Sequence, residues 1–324
     1  MRVSILGGGV AGSLLGKLLH DHGHEVVIHD ILSKYVKPCG DVVPNVYSPP
    51  YPWRIKFWIK NFEFYLDGIK LYDIQYRYPK WIVIDKWEWI NSMREKIIHA
   101  RPELLNPRNF DLVLDSRGPY PMDRRLVYTS RAILKTDEFR DVAVFEFQSK
   151  RTGFFWIFPD QEGVLNVGAG FLETKDSREE LLRYVRSRFR SYEIVDLRGA
   201  PISISPVLDK RKRIGEARGL VFPMSGEGIR PSAISAELAF EAITKGKTFE
   251  EHLDRSLKTL ERRIDIQGKL LRLYAGLSVT LRREMIKSLV KSDVLIDAYL
   301  EDKLDLMGVI ESLRTVNGGG IALR

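Results

Sequence analysis

The sequence predicts an α/β fold, and three observations near its start predict it. An apolar run, Val3-Ser4-Ile5-Leu6, leads into the glycine loop Gly7-Gly8-Gly9-Val10-Ala11-Gly12. A helical apolar pattern from Ala11 to Leu19 leads out of that loop. A second apolar run, Val26-Val27-Ile28, is followed by Asp30. Strand, glycine turn, helix, strand and acid come in the order that a dinucleotide-binding βαβ unit requires.

Each residue of the loop has a physical reason to be there. Gly7 permits the tight turn off the strand, where a side chain would be strained. Gly9 lets the backbone approach a pyrophosphate, whose charge settles on the free N–H groups at the helix start, beside Val10 and Ala11. Gly12 lets the helix pack close to the sheet. Asp30 stands where an acid hydrogen-bonds a ribose hydroxyl, and a carboxylate there argues against a 2′-phosphate.

Composition narrows the remaining possibilities. A chain of 324 residues suits one large or two modest domains. Cys39 is the one cysteine, so no internal disulfide forms, and a reducing, cytoplasmic compartment is expected. No tetrahedral Cys/His set is present, and no metal site is expected. The first strand starts at once, which reads as a chain without a signal peptide. No apolar run reaches the ~18 residues of a spanning helix. The net charge of +8 reads as a Lys/Arg-rich solvated surface, or as attraction to anionic lipid head groups or polyphosphates. No stripe of basic residues interleaved with aromatics suggests nucleic acid.

Beyond Asp30 the elements follow in order. Lys37-Pro38-Cys39-Gly40-Asp41 is a loop, and residues 44–53 hold four prolines and are irregular. Phe62-Glu63-Phe64-Tyr65-Leu66 and Ile69-Lys70-Leu71-Tyr72 flank Asp67-Gly68, a strong hairpin signal. A strand, Trp81-Ile82-Val83-Ile84, meets Asp85-Lys86, and a helix is expected over 87–98. After a polar break at 102–109, a strand over 110–114 returns to the first sheet and ends on Asp115-Ser116-Arg117-Gly118-Pro119-Tyr120. Residues 126–170 read as strands and 176–190 as a helix capped by Asp176 or Ser177. An extended stretch at 201–206, a basic turn at 210–213, a second glycine cluster at 215–228 and a helix over 232–245 follow. The tail from 248 to about 314 is amphipathic and helical. It reads as cover for the sheet or for a partner, with contact to a membrane surface as the alternative. Residues 317–320 are expected to be flexible.

Five separated stretches resemble the FAD-dependent geranylgeranyl reductase family, within the wider flavoprotein group that includes the aromatic hydroxylases. The glycine loop with Asp30 is the first. The loop Lys37 to Asp41 is similar to the family's cysteine-glycine loop beside the flavin. Asp115 to Tyr120 resembles the Asp-x-x-Gly turn under the cofactor. Phe154-Phe155-Trp156-Ile157-Phe158-Pro159, with Gly168-Ala169-Gly170, resembles a Tyr-x-Trp-x-Phe-Pro…Gly-x-Gly signature whose aromatics line an isoprenoid pocket. Gly215 to Ile229 resembles a Gly-Asp-Ala-Ala-Gly…Pro-x-x-Gly-Glu-Gly-Ile run that holds the flavin. Phe154 stands where the family usually has tyrosine, Glu216 for aspartate, Arg218 for a small residue, and Lys86 for arginine. The stretch from Lys86 to Asp115 is short.

The resemblance implies a Rossmann-like FAD-binding domain from residues 1–55, 85–120 and 200–245. A β-rich substrate domain would be inserted as residues 56–84 and 121–199, and a helical segment would close the chain at 246–324. FAD is the implied cofactor. Its contacts are expected from Gly7, Gly9, Val10, Ala11, Gly12, Asp30, Gly40, Asp41, Lys86, Asp115, Gly118, Glu216, Gly226, Gly228 and Ile229. The implied activity is reduction of carbon–carbon double bonds in a polyprenyl lipid. Cys39, otherwise a small buried apolar residue, would then give or shape the proton.

Phe154, Trp156 and Phe158 alternate, so on a strand they share one face, as core or as the wall of an isoprenoid slot. Glu227 reads as an acid favoured by a helix dipole. The six histidines show no triad or metal spacing. The electron donor is open, since no second glycine-loop site is visible. Peripheral membrane contact is compatible with a lipid substrate. Two rivals stand: a flavin monooxygenase or dehydrogenase on another apolar substrate, and a non-catalytic binder of FAD or lipid.

Overall fold

The computed structural model describes residues 1–120 and 125–321. The glycine loop sits at the end of a four-stranded parallel sheet. Its strand order is Ile98–Ala100, Glu25–His29, Arg2–Leu6, Leu112–Asp115. Ile5 is paired with Ile28 on one side and Leu114 on the other, so the run after residue 109 does return to this sheet. Helix Val10–Asp21 covers the sheet, with Lys86–Arg94 and Ile229–Thr244 packed beside it. Their shared core includes Leu14, Leu15, Trp89, Ile90, Ala233 and Ala236.

Seven strands form the second sheet, in the order Glu193–Ser203, Leu126–Lys135, Val164–Phe171, Gly153–Gln161, Val142–Phe147, Asn61–Leu66, Ile69–Gln75. Asp67 (φ 51°) and Gly68 (φ 82°) make the expected hairpin, both left-handed as such a turn requires. Helix Ser177–Arg188 starts with Asp176 accepting from the Arg178 N–H, and packs Leu181, Tyr184 and Val185 on one face of this sheet. Its other face carries an aromatic cluster of Phe145, Trp156, Phe158 and Trp81, closed by Tyr299 from the tail.

Four departures from the sequence reading have physical causes. The helix expected over 87–98 ends at Arg94, and Ile98–Ala100 adds an edge strand too short to show periodicity. Strand Glu193–Ser203 is an edge strand with much of its length exposed, and its Ile194, Val195 and Leu197 stand among charged residues, so it starts eight residues before the extended stretch expected at Pro201. Residues 56–84 divide between two sheets, because Ile55–Ile59 and Trp81–Ile84 pair with each other and with Val42–Pro44. Of residues 317–320, expected to be flexible, Asn317 ends a helix and Gly320 O accepts from the Arg77 N–H, with Ile321 bridging Tyr76.

The tail forms helices Phe249–Ser256, Lys258–Gly276, Val279–Val290, Asp293–Leu300 and Leu306–Asn317. Ion pairs from buried cations of the body lock it in place. Arg218 pairs with Glu261 and Asp254, and Lys80 pairs with Asp297 and Glu301. Arg218, unusual at its motif position, is thus an anchor for the tail.

Candidate active site

A cavity of about 730 Å³ runs from the glycine loop to the aromatic cluster. Gly7, Gly9, Val10, Ala11 and Asp30 line one arm; Cys39, Gly40, Asp41 and Lys86 line its middle. Gly118, Glu216, Gly226, Gly228 and Ile229 line the opposite wall, and Phe154, Trp156 and Phe158 the apolar arm. Gly12 and Asp115 do not lie on the cavity wall. A Cβ on Gly12 would fall 2.0 Å from the Gly7 carbonyl oxygen, so its hydrogen closes the helix onto the turn. The Asp115 carboxylate accepts from the Arg117 N–H at 3.1 Å and from its guanidinium at 2.9 Å, and it braces the turn that presents Gly118.

The polar arm fits a dinucleotide. Helix Val10–Asp21 starts at Gly9 with no side-chain cap and no acid in its first turn, and a Cβ at Gly9 would meet nothing. Open N–H groups at a positive helix end suit a pyrophosphate. Asp30 accepts from the Gly8 and Leu32 N–H groups at 2.7 and 3.1 Å. Arg94, 3 % exposed, lies behind them. Its guanidinium donates to the Gly8 and Leu32 carbonyls at 3.2 and 2.8 Å and lies 4.0 Å from Asp30. Sequence reading missed Arg94. Its one signal is its place four residues after Ile90 on the buried face of its helix.

On the opposite wall, Glu216 accepts from Lys37 Nζ and from the Ser203 N–H, both at 2.8 Å. A Cβ on Gly118 would fall 3.3 Å from the Glu216 carboxylate, so the two motifs meet at this wall. Helix Ile229–Thr244 has Glu227 at its start, accepting from the Arg230 N–H at 2.7 Å, as the dipole favours. Glu227, Arg230 and Asp302 form a buried cluster that joins this loop to the tail.

Cys39 and Lys86 meet on the cavity wall. Cys39 Sγ donates to Asp41 Oδ1 at 3.0 Å and accepts from the Asp41 N–H at 3.2 Å. Lys86, 2 % exposed, places Nζ 2.6 Å from that sulfur and 2.9 Å from Asp41. Burial and the Asp41 charge push the Cys39 thiol up to about 11, against the pull of Lys86. The Lys86 ammonium is raised, because Asp41 and the thiol outweigh the cost of burying it. Burial and Asp41 together thus favour the protonated thiol.

The aromatic arm is coupled to this thiol. The Trp156 indole N–H donates to Asn166 Oδ1 at 3.1 Å, and the Asn166 amide donates to the Cys39 carbonyl at 2.9 Å. Gly40 lies against Phe158, where a Cβ would stand 3.1 Å from the ring. Gly168 clears space for Trp156, since a Cβ there would fall 1.9 Å from the indole. Phe158 is both core and wall, packed on Phe145 and Trp81 while facing the cavity. No group of His, Cys, Asp and Glu among the described residues could hold a metal ion.

No protein-family model matches the chain. It is 29 % identical over 116 residues to digeranylgeranylglycerophospholipid reductase 2 of Methanothermobacter thermautotrophicus, covering 32 % of this chain and 30 % of that one. It is 29 % identical over 117 residues to digeranylgeranylglycerophospholipid reductase of Methanosarcina acetivorans, covering 32 % and 29 %. The chain thus spans about three tenths of the length of these relatives. The similar solved structures include a geranylgeranyl bacteriochlorophyll reductase-like protein from Thermoplasma acidophilum. It superposes with TM-score 0.70 at 15 % identity, over 97 % of this chain and 95 % of that one. Flavin-dependent brominase Bmp2 gives TM-score 0.66 at 12 % identity, with 98 % of both chains covered. p-Nitrophenol 4-monooxygenase PnpA from Pseudomonas putida gives 0.64 at 15 %, over 100 % of this chain and 99 % of that one. Over part of its length the chain is similar in sequence to the geranylgeranyl-type reductases, and over its whole length it has the fold of the flavin-dependent oxidoreductases.

Proposed function

We propose that the chain is a FAD-dependent oxidoreductase of geranylgeranyl reductase type that adds hydrogen across C=C bonds in the polyprenyl chain of a lipid. The observation that carries this reading is the place of Cys39 on the wall of one cavity that also takes in the glycine loop and the aromatic arm. Gly7, Gly9, Val10, Ala11 and Asp30 would hold the adenosine and pyrophosphate end. Gly118, Glu216, Gly226, Gly228 and Ile229 would hold the rest. Bound FAD, once reduced, would supply hydride to one alkene carbon. Cys39 gives its proton to the other carbon, and Lys86 stands beside the thiolate left behind.

Phe154, Trp156 and Phe158 offer flat apolar walls to a substrate that has little to bind but area, worth ~25 cal/mol per Å² buried. The same walls keep water from the reacting carbons. A polyprenyl lipid resides in a bilayer, so the protein would meet it at a membrane surface. No helix among the described residues is long and apolar enough to cross a membrane.

The test is product analysis. Purified protein should be yellow from bound FAD. After anaerobic chemical reduction it should add one hydrogen pair per double bond to a geranylgeranyl lipid. The fold shared with p-nitrophenol 4-monooxygenase supports a rival, oxygenation of an apolar substrate. Product formed only in air, with oxygen incorporated, would establish that rival. Protein that takes up no FAD would overturn both.

A further inference from the structure

We propose that the turn between helices Lys258–Gly276 and Val279–Val290 is a docking surface for an anionic lipid bilayer, through which an apolar chain reaches the aromatic arm. The inference rests on the lipid substrate proposed above and names the surface that would receive it.

Three large apolar side chains stand out at this one turn: Leu273 at 59 %, Val279 at 40 % and Leu281 at 55 % exposure. Single exposed leucines are ordinary, but three large apolar side chains exposed within nine residues about a two-residue connection concentrate apolar surface there. The turn is held without any partner. Arg282 donates to the Ala275 and Leu277 carbonyls and lies 5.4 Å from the Tyr274 ring. These bonds brace the backbone of the turn on which the three apolar side chains are exposed.

Charge identifies the occupant. Residues 265–291 contain six basic and two acidic side chains, an excess of four within a net charge of +8. Lys269 pairs with Asp265, Lys287 with Glu284, Arg283 with Asp67, and Arg282 lies 3.9 Å from Glu173. The exposed pairs are weak and screened, while Asp67 and Glu173 add two acids from neighbouring elements and leave a basic excess of two around the turn. Arg272 and Lys291 are also exposed on it. Apolar tips ringed by Lys and Arg fit the interface of an anionic bilayer, tips toward the acyl boundary and cations at the head groups.

The position of the turn gives docking a purpose. Leu271, Tyr274, Met285, Ile286 and Leu289 of the same two helices line the cavity. One helix layer thus separates the outward patch from the apolar arm. A second apolar stripe, Leu306, Met307, Ile310 and Leu313, is exposed on helix Leu306–Asn317. Residues 305–321 carry Asp305, Glu311 and Arg314, and Arg263 and Lys303 pair with the two acids, so the charges beside that stripe are balanced rather than basic and do not favour an anionic surface.

The experiment is vesicle co-sedimentation of the full chain with phosphatidylcholine alone and with equal parts phosphatidylglycerol. Binding is expected to the anionic vesicles, at least tenfold stronger than to neutral ones and falling with added salt. Leu273→Asp with Leu281→Asp, and separately Arg272→Glu with Lys291→Glu, should each cut it at least tenfold while FAD content and circular dichroism stay unchanged. Leu306→Asp with Leu313→Asp should leave it intact. Equal binding to both vesicles, or loss only with the Leu306/Leu313 variant, would overturn the proposal. So would a dimer in solution that the Leu273/Leu281 variant dissolves. Activity on detergent-dispersed lipid separates the two readings: reduction without vesicle binding removes the docking surface alone, and binding without reduction removes the reductase alone.

Discussion

Lys86 Nζ lies 2.6 Å from Cys39 Sγ, and Asp41 accepts from both side chains. The lysine favours the thiolate and the aspartate opposes it, so removing each charge moves the thiol in opposite directions. With the thiol near 11, its thiolate fraction at pH ~8 is about a hundredfold or more below that of a free cysteine. Alkylation of Cys39 by iodoacetamide should be slow to that degree. Lys86→Met should slow it further, and Asp41→Asn should speed it. The reverse order would show that Lys86 does not govern the sulfur. Cys39→Ser should lower turnover on the lipid by about tenfold or more if the thiol delivers the proton.

Asn166 links the aromatic arm to the thiol loop, so it controls position without touching substrate. Asn166→Leu removes the acceptor of the Trp156 N–H and the donor to the Cys39 carbonyl. Two buried groups are then unpaired, at a cost of about 1–3 kcal/mol each. The expected result is a lower melting temperature, a shifted tryptophan emission and a lower kcat with FAD content retained. Gly168→Ala should show the same emission change by pushing Trp156 directly. An unshifted spectrum in both variants would mean that the indole is held by other contacts.

The dinucleotide half was legible because its constraints are local. Gly7 needs a positive φ of 95°, and Gly12 needs the absence of a Cβ. Such demands leave a glycine in the sequence. The meeting of Gly40 with Phe158 was not legible, since nothing local brings residues so far apart together. Arg94 and Asn166 were not legible. An arginine at a helix end reads as solvated, and an asparagine inside an apolar strand carries no motif. Asp115, expected as a cofactor contact from its motif, accepts from Arg117 off the cavity wall.

Arg94 gives a direct test of the glycine loop. Its guanidinium holds two loop carbonyls and lies within ion-pair reach of Asp30. Arg94→Met preserves much of the packing but leaves both carbonyls without that donor. The loop should loosen, and FAD retention through gel filtration should fall by about tenfold, equivalent to about 1.4 kcal/mol. Arg94→Lys should recover only part, because a single ammonium cannot span the same acceptors. Full retention in the methionine variant would show that the loop is held by its backbone alone.

Glu227 and Asp302 share the buried Arg230 and make the link between the flavin-side loop and the tail sensitive to pH. Burial raises both carboxyls, Asp302 to about 8. A raised carboxyl binds its proton more tightly in the folded chain than in the unfolded one. The folded state therefore loses stability as pH rises from the ordinary carboxylate range through that value. The melting temperature should fall between about pH 5 and pH 8, beyond what the surface groups cause. Asp302→Asn keeps an oxygen to accept from Ser225 while removing the titrating charge. It should flatten the fall and leave the low-pH melting temperature nearly unchanged. A variant that melts with the same pH slope as the parent would place the titration elsewhere.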